Sequence, residues 1–350
     1  MLPAPMGEYP VGKTQFIVPH TTYNDPVAPP EWNGTGSFVL ASMFYPTVSS
    51  SCSNRTMRYV DEHLARYYEA RYDLPAGIMS RVRAPIAPEA PHRPKADREA
   101  LPTVLLSAGA SNPCVLDSVL AMDLASMGYT VICLDHPGEV PYLQLPSGEG
   151  IAGIPFDETW DSAYDIYTNR VPDTLALLDF LPSFAAENAL PINTSCYVAV
   201  GHSIGGNAGV ASVAYAESVV GGINLDGSMV GDNTTNIEGP FMIMAGEGHN
   251  TTTDPSWDAF LGLQTGEWQL LTVEGTRHSD FVDLTVLAEV LGVGKAHMRL
   301  GPLDGYRMRE ITTIFVKAFF DSIMGSGGGL LDGPLPTDEW PEVQRTKAST

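Results

Sequence analysis

Residues Cys196-Tyr197-Val198-Ala199-Val200-Gly201-His202-Ser203-Ile204-Gly205-Gly206 decide the fold of this chain. A short apolar, β-branched run ends at Gly201-His202-Ser203-Ile204-Gly205, and a small-residue segment continues through Ala208, Val210, Ala211, Val213 and Ala214. The pattern reads as strand, sharp turn, helix. Such a turn sets Ser203 at the carboxyl end of a buried strand, where side chains two residues to either side would collide. Gly201 and Gly205 remove those side chains. Gly-x-Ser-x-Gly is a weak signal by itself; the strand before it and the helix after it give it weight, because the motif needs both. The expected geometry is that of a nucleophilic serine hydrolase.

A serine hydroxyl is unreactive at neutral pH without a base, and the base needs a carboxylate to orient it. On this type of turn the chain order is serine, acid, histidine. His278 follows the strand-like run Trp268–Val273 and is the favoured base. His249, in a Gly-rich loop after Phe241–Ala245, reads as a pocket or loop residue, and His297 as a surface or packed one. His202 adjoins the nucleophile and reads as structural. For the acid, Asp226 closes the strand after the elbow helix, whereas Glu247, Asp254 and Asp258 follow the next strand. Asp226 is favoured, since Glu247 lies between Gly246 and Gly248. An oxyanion hole needs two backbone donors. The amide of Ile204 is one, and the amide of Ala110, in the loop Ser107–Ser111 after the strand Thr103–Leu106, is the choice for the other. A plain strand-to-helix turn is the alternative for that loop.

From residue 103 onward strands and helices alternate, which predicts an α/β fold: a mainly parallel central sheet with helices on both faces, in one domain spanning 1–350. Strands are expected at 12–20 and 36–46. Helices are expected at 56–73, 113–128, 160–182, 204–217, 255–264 and 304–324. Residues 74–102, rich in Pro, Arg and Ala, read as a surface excursion. Residues 137–159, rich in Pro and Gly, read as a rim or lid of the pocket. Residues 325–350 read as an extended tail that starts with a glycine run. Gly7-Glu8-Tyr9-Pro10-Val11-Gly12-Lys13-Thr14 satisfies a phosphate-loop pattern, but no strand precedes it and a strand-like run follows, so nucleotide binding is set aside.

Several segments together resemble a known family. They are Phe44-Tyr45-Pro46-Thr47, Leu105–Ser111, Asp123–Val131, Gly201–Gly206, Asn224-Leu225-Asp226 and His278-Ser279-Asp280-Phe281. Over residues 36 to 325 the chain is similar to the secreted, fungal-type platelet-activating-factor acetylhydrolases of the α/β-hydrolase fold. That family places its acid one strand early, which the resemblance carries onto Asp226. It implies hydrolysis of carboxylic esters, short-acyl or phospholipid-type. The chain departs from the family at Ala108, Ser111 and Ile204, where a histidine, a glycine and an aromatic residue are usual. Those positions belong to the pocket wall. Cutinase-like polyester hydrolysis is therefore the alternative substrate reading, and a non-catalytic binding protein of the same fold is the alternative class. Activity is expected to rise where an imidazole loses its proton, at about pH 6 to 7.

The 350 residues, 44% hydrophobic, suffice for a large core, and 19 Lys and Arg against 41 Asp and Glu leave a net charge of −22. That balance argues against nucleic acid and anionic membrane surfaces as partners. It fits a secreted protein acting on a small-molecule or lipid ester. Sequons at Asn33, Asn54, Asn193, Asn233 and Asn250 suggest glycosylation in a secretory pathway. Cys52, Cys114, Cys133 and Cys196 allow three disulfide connectivities, with Cys133 and Cys196 readable instead as buried thiols. Met1-Leu2-Pro3-Ala4-Pro5 does not read as a signal peptide, so a mature chain with an added methionine is expected. No run of 18 apolar residues exists to span a membrane. No cofactor is required, and the histidines show no metal-ligand spacing.

Overall fold

A computed structural model describes residues 1–48, 55–93, 101–155, 159–231, 234–326 and 329–349. Chain order begins with strands β1 (Val11–Tyr23) and β2 (Thr35–Pro46), then a short ribbon of β3 (Met57–Arg58) and β4 (Arg83–Ala84) around helix α1 (Glu62–Arg71). β5 (Ile86–Pro88), β6 (Thr103–Ser107), helix α2 (Ser118–Ser126) and β7 (Thr130–Asp135) follow. A second ribbon, β8 (Tyr142–Gln144) with β9 (Gly150–Ala152), precedes the long helix α3 (Trp160–Glu187). The rest runs β10 (Tyr197–His202), α4 (Ile204–Tyr215), β11 (Val219–Leu225), β12 (Phe241–Gly246), α5 (Pro255–Leu261), β13 (Trp268–Val273), α6 (Leu284–Leu291), α7 (Gly305–Ile323) and β14 (Val343–Ala348).

Ten of these strands form one sheet, in the order β14-β13-β12-β11-β10-β6-β7-β2-β1-β5. From β7 to β13 every pairing is parallel, whereas β2 on β7, β1 on β2 and β14 on β13 are antiparallel. A parallel sheet must be covered on both faces. Alternate residues of each strand accordingly enter different cores. Val104, Leu106, Val198 and Val200 face α2, α6 and α7 through Leu120, Leu287 and Phe315. Leu105, Ala199 and Ile132 face α3 through Leu177 and Leu181, and Ile243 and Leu270 meet Trp257 and Phe260 of α5. This is the mainly parallel α/β arrangement expected from the alternating pattern.

Because β6, β10, β11, β12 and β13 run parallel, the loops leaving their carboxyl ends gather on one edge of the sheet. In doubly wound folds that edge is where sites form. Gly12, Lys13 and Thr14 lie inside β1, so the phosphate-loop pattern has no helix behind it.

Several expectations need correction. Residues 74–102 are not a simple surface excursion: Met79, Val82, Ala84, Ile86 and Ala87 are buried, and β5 extends the sheet edge by pairing with β1. Helix α6 was not anticipated, and the tail carries β14, which closes the opposite edge on β13. The proline-containing segment that looked like a loose end has a buried Val343 and Trp340. α3 runs through Pro172 and Pro182 to Glu187, past the expected end at 182. Cys133 is not a plain thiol; it is bonded to Cys114 across a Cα–Cα distance of 5.9 Å, while Cys196 is free and Cys52 lies outside the described residues. No described helix is long and apolar enough to cross a membrane.

Candidate active site

Ser203 stands between β10 and α4 with φ 56° and ψ −129°, a conformation a non-glycine residue adopts only when its surroundings force it. Close packing supplies that force. A Cβ on Gly201 would lie 2.2 Å from the Gly205 carbonyl oxygen, and one on Gly205 would lie 2.2 Å from that of Ser107 and 2.4 Å from that of Ala108. On Gly227 it would fall 1.9 Å from the carbonyl oxygen of Ser203 itself. The two glycines of the motif, and a third beyond Asp226, let three loops touch through backbone alone.

Asp226 follows β11 with φ 60°, in the left-handed region that Asp tolerates better than most side chains. Its carboxylate is buried. Oδ2 lies 2.7 Å from His278 Nδ1, and Oδ1 accepts from the Gly246 amide at 2.7 Å and lies 2.8 Å from His249 Nδ1. Burial opposes ionisation of Asp226, but hydrogen bonds from His249 and His278, and the charges of both rings, outweigh it and hold the carboxyl well below the usual range. His278 begins a 3₁₀ turn, His278–Phe281. The His202 ring lies 4.5 Å from the His278 ring, and its Nε2 sits 3.0 Å from the His278 carbonyl oxygen. Burial, then the neighbouring His278, push the His202 imidazole down to about 3, so the ring is neutral and Nε2–H must donate. His202 therefore anchors the His278 backbone.

The other candidates part company with the site. Glu247 is exposed and its carboxylate accepts from the Gly275 amide at 2.8 Å; Asp258 is a surface partner of Lys347. His297 is exposed. Asp254 does approach, but through His249: His249 Nε2 lies 3.0 Å from Asp254 Oδ2.

Ser203, Ile204, Ala110, Asp226, His249 and His278 all line one cavity of about 470 Å³. A volume in this range suits a small organic ligand. Behind Ala110, a buried ion pair steadies the loop Ser107–Ser111. Arg170 on α3 meets Glu139 at 2.5 Å and reaches the Gly109 carbonyl at 3.4 Å, while Glu139 accepts from the Ser111 amide at 3.3 Å. The same cavity is also lined by residues that no motif announced: Arg71 and Tyr72 at the end of α1, Trp160 and Ala163 on α3, and Arg299. Of segment 137–159, the described residue on the cavity is Thr159; Tyr142, Leu143 and Gln144 of the β8–β9 ribbon line a separate cavity of about 500 Å³. Among the described residues, the end of α1 and the start of α3 thus line the cavity together with Thr159 of that segment.

Of the sequons, Asn33 is exposed in a turn after a short 3₁₀ segment. Asn193 and Asn250 are half-buried and bind nearby backbone through both ends of their amides. Asn54 and Asn233 lie outside the described residues.

Residues 188–325, which carry Ser203, Asp226 and His278, match the family model of platelet-activating factor acetylhydrolase, isoform II. The chain is similar to the platelet-activating-factor acetylhydrolases. A curated relative from Arthroderma benhamiae, a probable 1-alkyl-2-acetylglycerophosphocholine esterase, is 28% identical over 267 residues, 71% of this chain. The match spans 66% of that relative's own length. Among solved structures, the ferulic acid esterase of Streptomyces cinnamoneus superposes with a TM-score of 0.83 at 24% identity, over 99% of both chains. That likeness establishes the α/β-hydrolase fold. The acetylhydrolase family and the relative are both named for carboxylic ester hydrolysis, the class of enzyme to which this chain is similar.

Proposed function

We propose that the chain is a serine carboxylic-ester hydrolase that works through an acyl-enzyme on short-acyl or phospholipid-type esters. The observation that carries the reading is the 2.7 Å contact between Asp226 and His278 Nδ1 in the cavity that the strained Ser203 elbow enters. In this reading Asp226 holds Nδ1–H, which leaves the Nε2 lone pair free to take the Ser203 proton. Ser203 Oγ attacks the ester carbonyl, and the amides of Ile204 and Ala110 receive the negative oxygen. His278 returns its proton to the departing alcohol, and water releases the acid by the same steps in reverse order of roles. The similarity to acetylhydrolases supports the short acyl group.

A fluorophosphonate probe and an ester panel test this reading. The folded protein is expected to take one probe molecule at Ser203, and Ser203→Ala is expected to lose label and at least about 10⁴-fold in kcat/KM on p-nitrophenyl acetate. Absence of labelling in wild type would instead favour a binding protein. Within the panel, an acetylated phospholipid and short aryl esters are expected to outrun long acyl chains and a polyester film. Preference for the film would move the assignment to a cutinase-like enzyme.

We also propose that the protein acts outside the cell. The Cys114–Cys133 disulfide and the exposed sequon at Asn33 support this. An intact mass of the native protein with no glycan and both thiols reduced would remove it.

A further inference from the structure

We propose that His249 is a positioning residue: held as a cation between Asp226 and Asp254, it shares the Asp226 carboxylate with His278 and sets the pH at which His278 can serve Ser203. The inference rests on the hydrolase reading above and adds to the Ser-Asp-His set a second histidine and a second acid.

The geometry assigns the charge. A neutral imidazole has one N–H and one lone pair, so it can satisfy one carboxylate and must repel another. His249 presents Nδ1 to Asp226 Oδ1 at 2.8 Å and Nε2 to Asp254 Oδ2 at 3.0 Å. Two carboxylates demand two N–H groups. Both acids are ionised. Asp226 lies well below the usual carboxylate range, and at Asp254 burial is outweighed by hydrogen bonds from His249, Ser228 and Ser256, which bring it down to about 2. Burial alone would lower the His249 imidazole, but its bonds to Asp226 and Asp254 push it up to about 9. The ring cannot swing away. It stacks on Trp257 at 4.0 Å, and Trp257 is fully buried and donates Nε1–H to the Gly227 carbonyl at 2.7 Å.

The groups that face this ring can be named. Asp226 comes from the end of β11 and Asp254 from the N-cap of α5. His278 lies across Asp226, and His202 behind it is neutral. Arg71 and Arg299 stand on the same cavity, and Glu247, two residues away, turns to the Gly275 amide.

The consequence follows from Coulomb's law. An imidazolium on Oδ1 cancels part of the field that Asp226 exerts on His278 through Oδ2. With the cation present, His278 gives up its proton more readily, and the enzyme enters its active form at lower pH. Removing the cation returns the whole carboxylate charge to His278, so the acid limb of the activity profile moves upward. Asp254→Asn acts in the same direction but less strongly, because His249 then keeps one carboxylate and loses its proton more easily.

The test compares wild type, His249→Gln and Asp254→Asn. In kcat/KM against pH with p-nitrophenyl acetate, the midpoint of the acid limb is expected to rise by about one pH unit in His249→Gln and by less in Asp254→Asn. A merely structural role would lower the whole profile and leave the midpoint in place, and that result would overturn the proposal. Histidine ring ¹⁵N and ¹³C NMR needs no turnover. It is expected to show a doubly protonated His249 at pH 7.5 in wild type, and a His278 titration displaced upward in both variants. A neutral His249, or a His278 titration unmoved by Asp254→Asn, would also overturn it. Should no ester be hydrolysed at all, the hydrolase reading falls, while the NMR titrations still decide the coupling. Should His249→Gln not fold, Asp254→Asn and the wild-type ring shifts decide it.

Discussion

The two walls of the cavity that meet at Ser203 are held by opposite kinds of force. On the Ser203 side, contact is steric: Gly201, Gly205 and Gly227 bring backbone within 2.2 Å or less of where a Cβ would stand, and Ser203 is forced to φ 56°. On the Asp226 side, contact is electrostatic: Asp226, His249, His278 and Asp254 form a chain of charges and hydrogen bonds 2.7 to 3.0 Å long. The steric wall stores strain on the order of 1–3 kcal/mol at one residue and admits an added atom only if backbone shifts. The electrostatic wall depends instead on which of its groups carry charge. One cavity thus combines a backbone-locked Ser203 with a hydrogen-bonded cluster of acids and histidines.

Each wall can be broken separately. The largest effect is expected on the electrostatic side. Asp226→Asn keeps the shape, but it removes the charge that, in the mechanism proposed above, selects the Nδ1–H tautomer of His278 and steadies its charged form. A loss of about 10⁴-fold in kcat/KM on p-nitrophenyl acetate is expected. A loss under tenfold would mean that Asp254, through His249, substitutes for it.

Next comes the buried pair behind the loop Ser107–Ser111. Arg170→Met leaves Glu139 buried and uncompensated, which is expected to cost about 3–5 kcal/mol in urea unfolding. It should also slow the enzyme, because Gly109 loses its guanidinium contact and Ser111 depends on Glu139. Unchanged stability would show that the pair is solvated and that the loop stands without it.

The smallest expected effect on stability tests the steric wall. Gly205→Ala places a methyl against the carbonyls of Ser107 and Ala108, with an expected cost of about 1–3 kcal/mol. If the wall is as rigid as these contacts imply, activity falls far more than stability, since the elbow and the loop Ser107–Ser111 are forced apart together. An alanine accommodated without loss of activity would show a wall that yields.

The steric wall was the more legible of the two in the sequence. A strand of β-branched residues, two glycines around a serine and a run of small residues are local features, and they predict strand, elbow and helix within a few residues of β10 and α4. Asp226 and His278 were legible through chain order, because each ends or follows a strand of the same parallel set. His249 was legible as a pocket residue but not as the partner of Asp226. That contact joins the ends of β11 and β12 and depends on the direction each loop takes. Arg71, Tyr72 and Trp160 gave no signal, since α1 and α3 reach the cavity from outside the strand-end loops. Strand β14 hid in a segment rich in charge and proline, where its pairing with β13 overrides local preference. The Cys114–Cys133 bond depends on β7 passing the start of α2, which cysteine spacing does not reveal.

By itself the sequence determined which backbone could bend where. Glycine placement, strand periodicity and the order serine–acid–histidine are properties of neighbours along the chain, and they specify an elbow and a parallel α/β sheet. The tertiary structure alone decided which charges meet. It gave one carboxylate two histidines, set a second acid behind one of them and walled the cavity with α1, because charge interactions act over distance in space and are indifferent to distance along the chain.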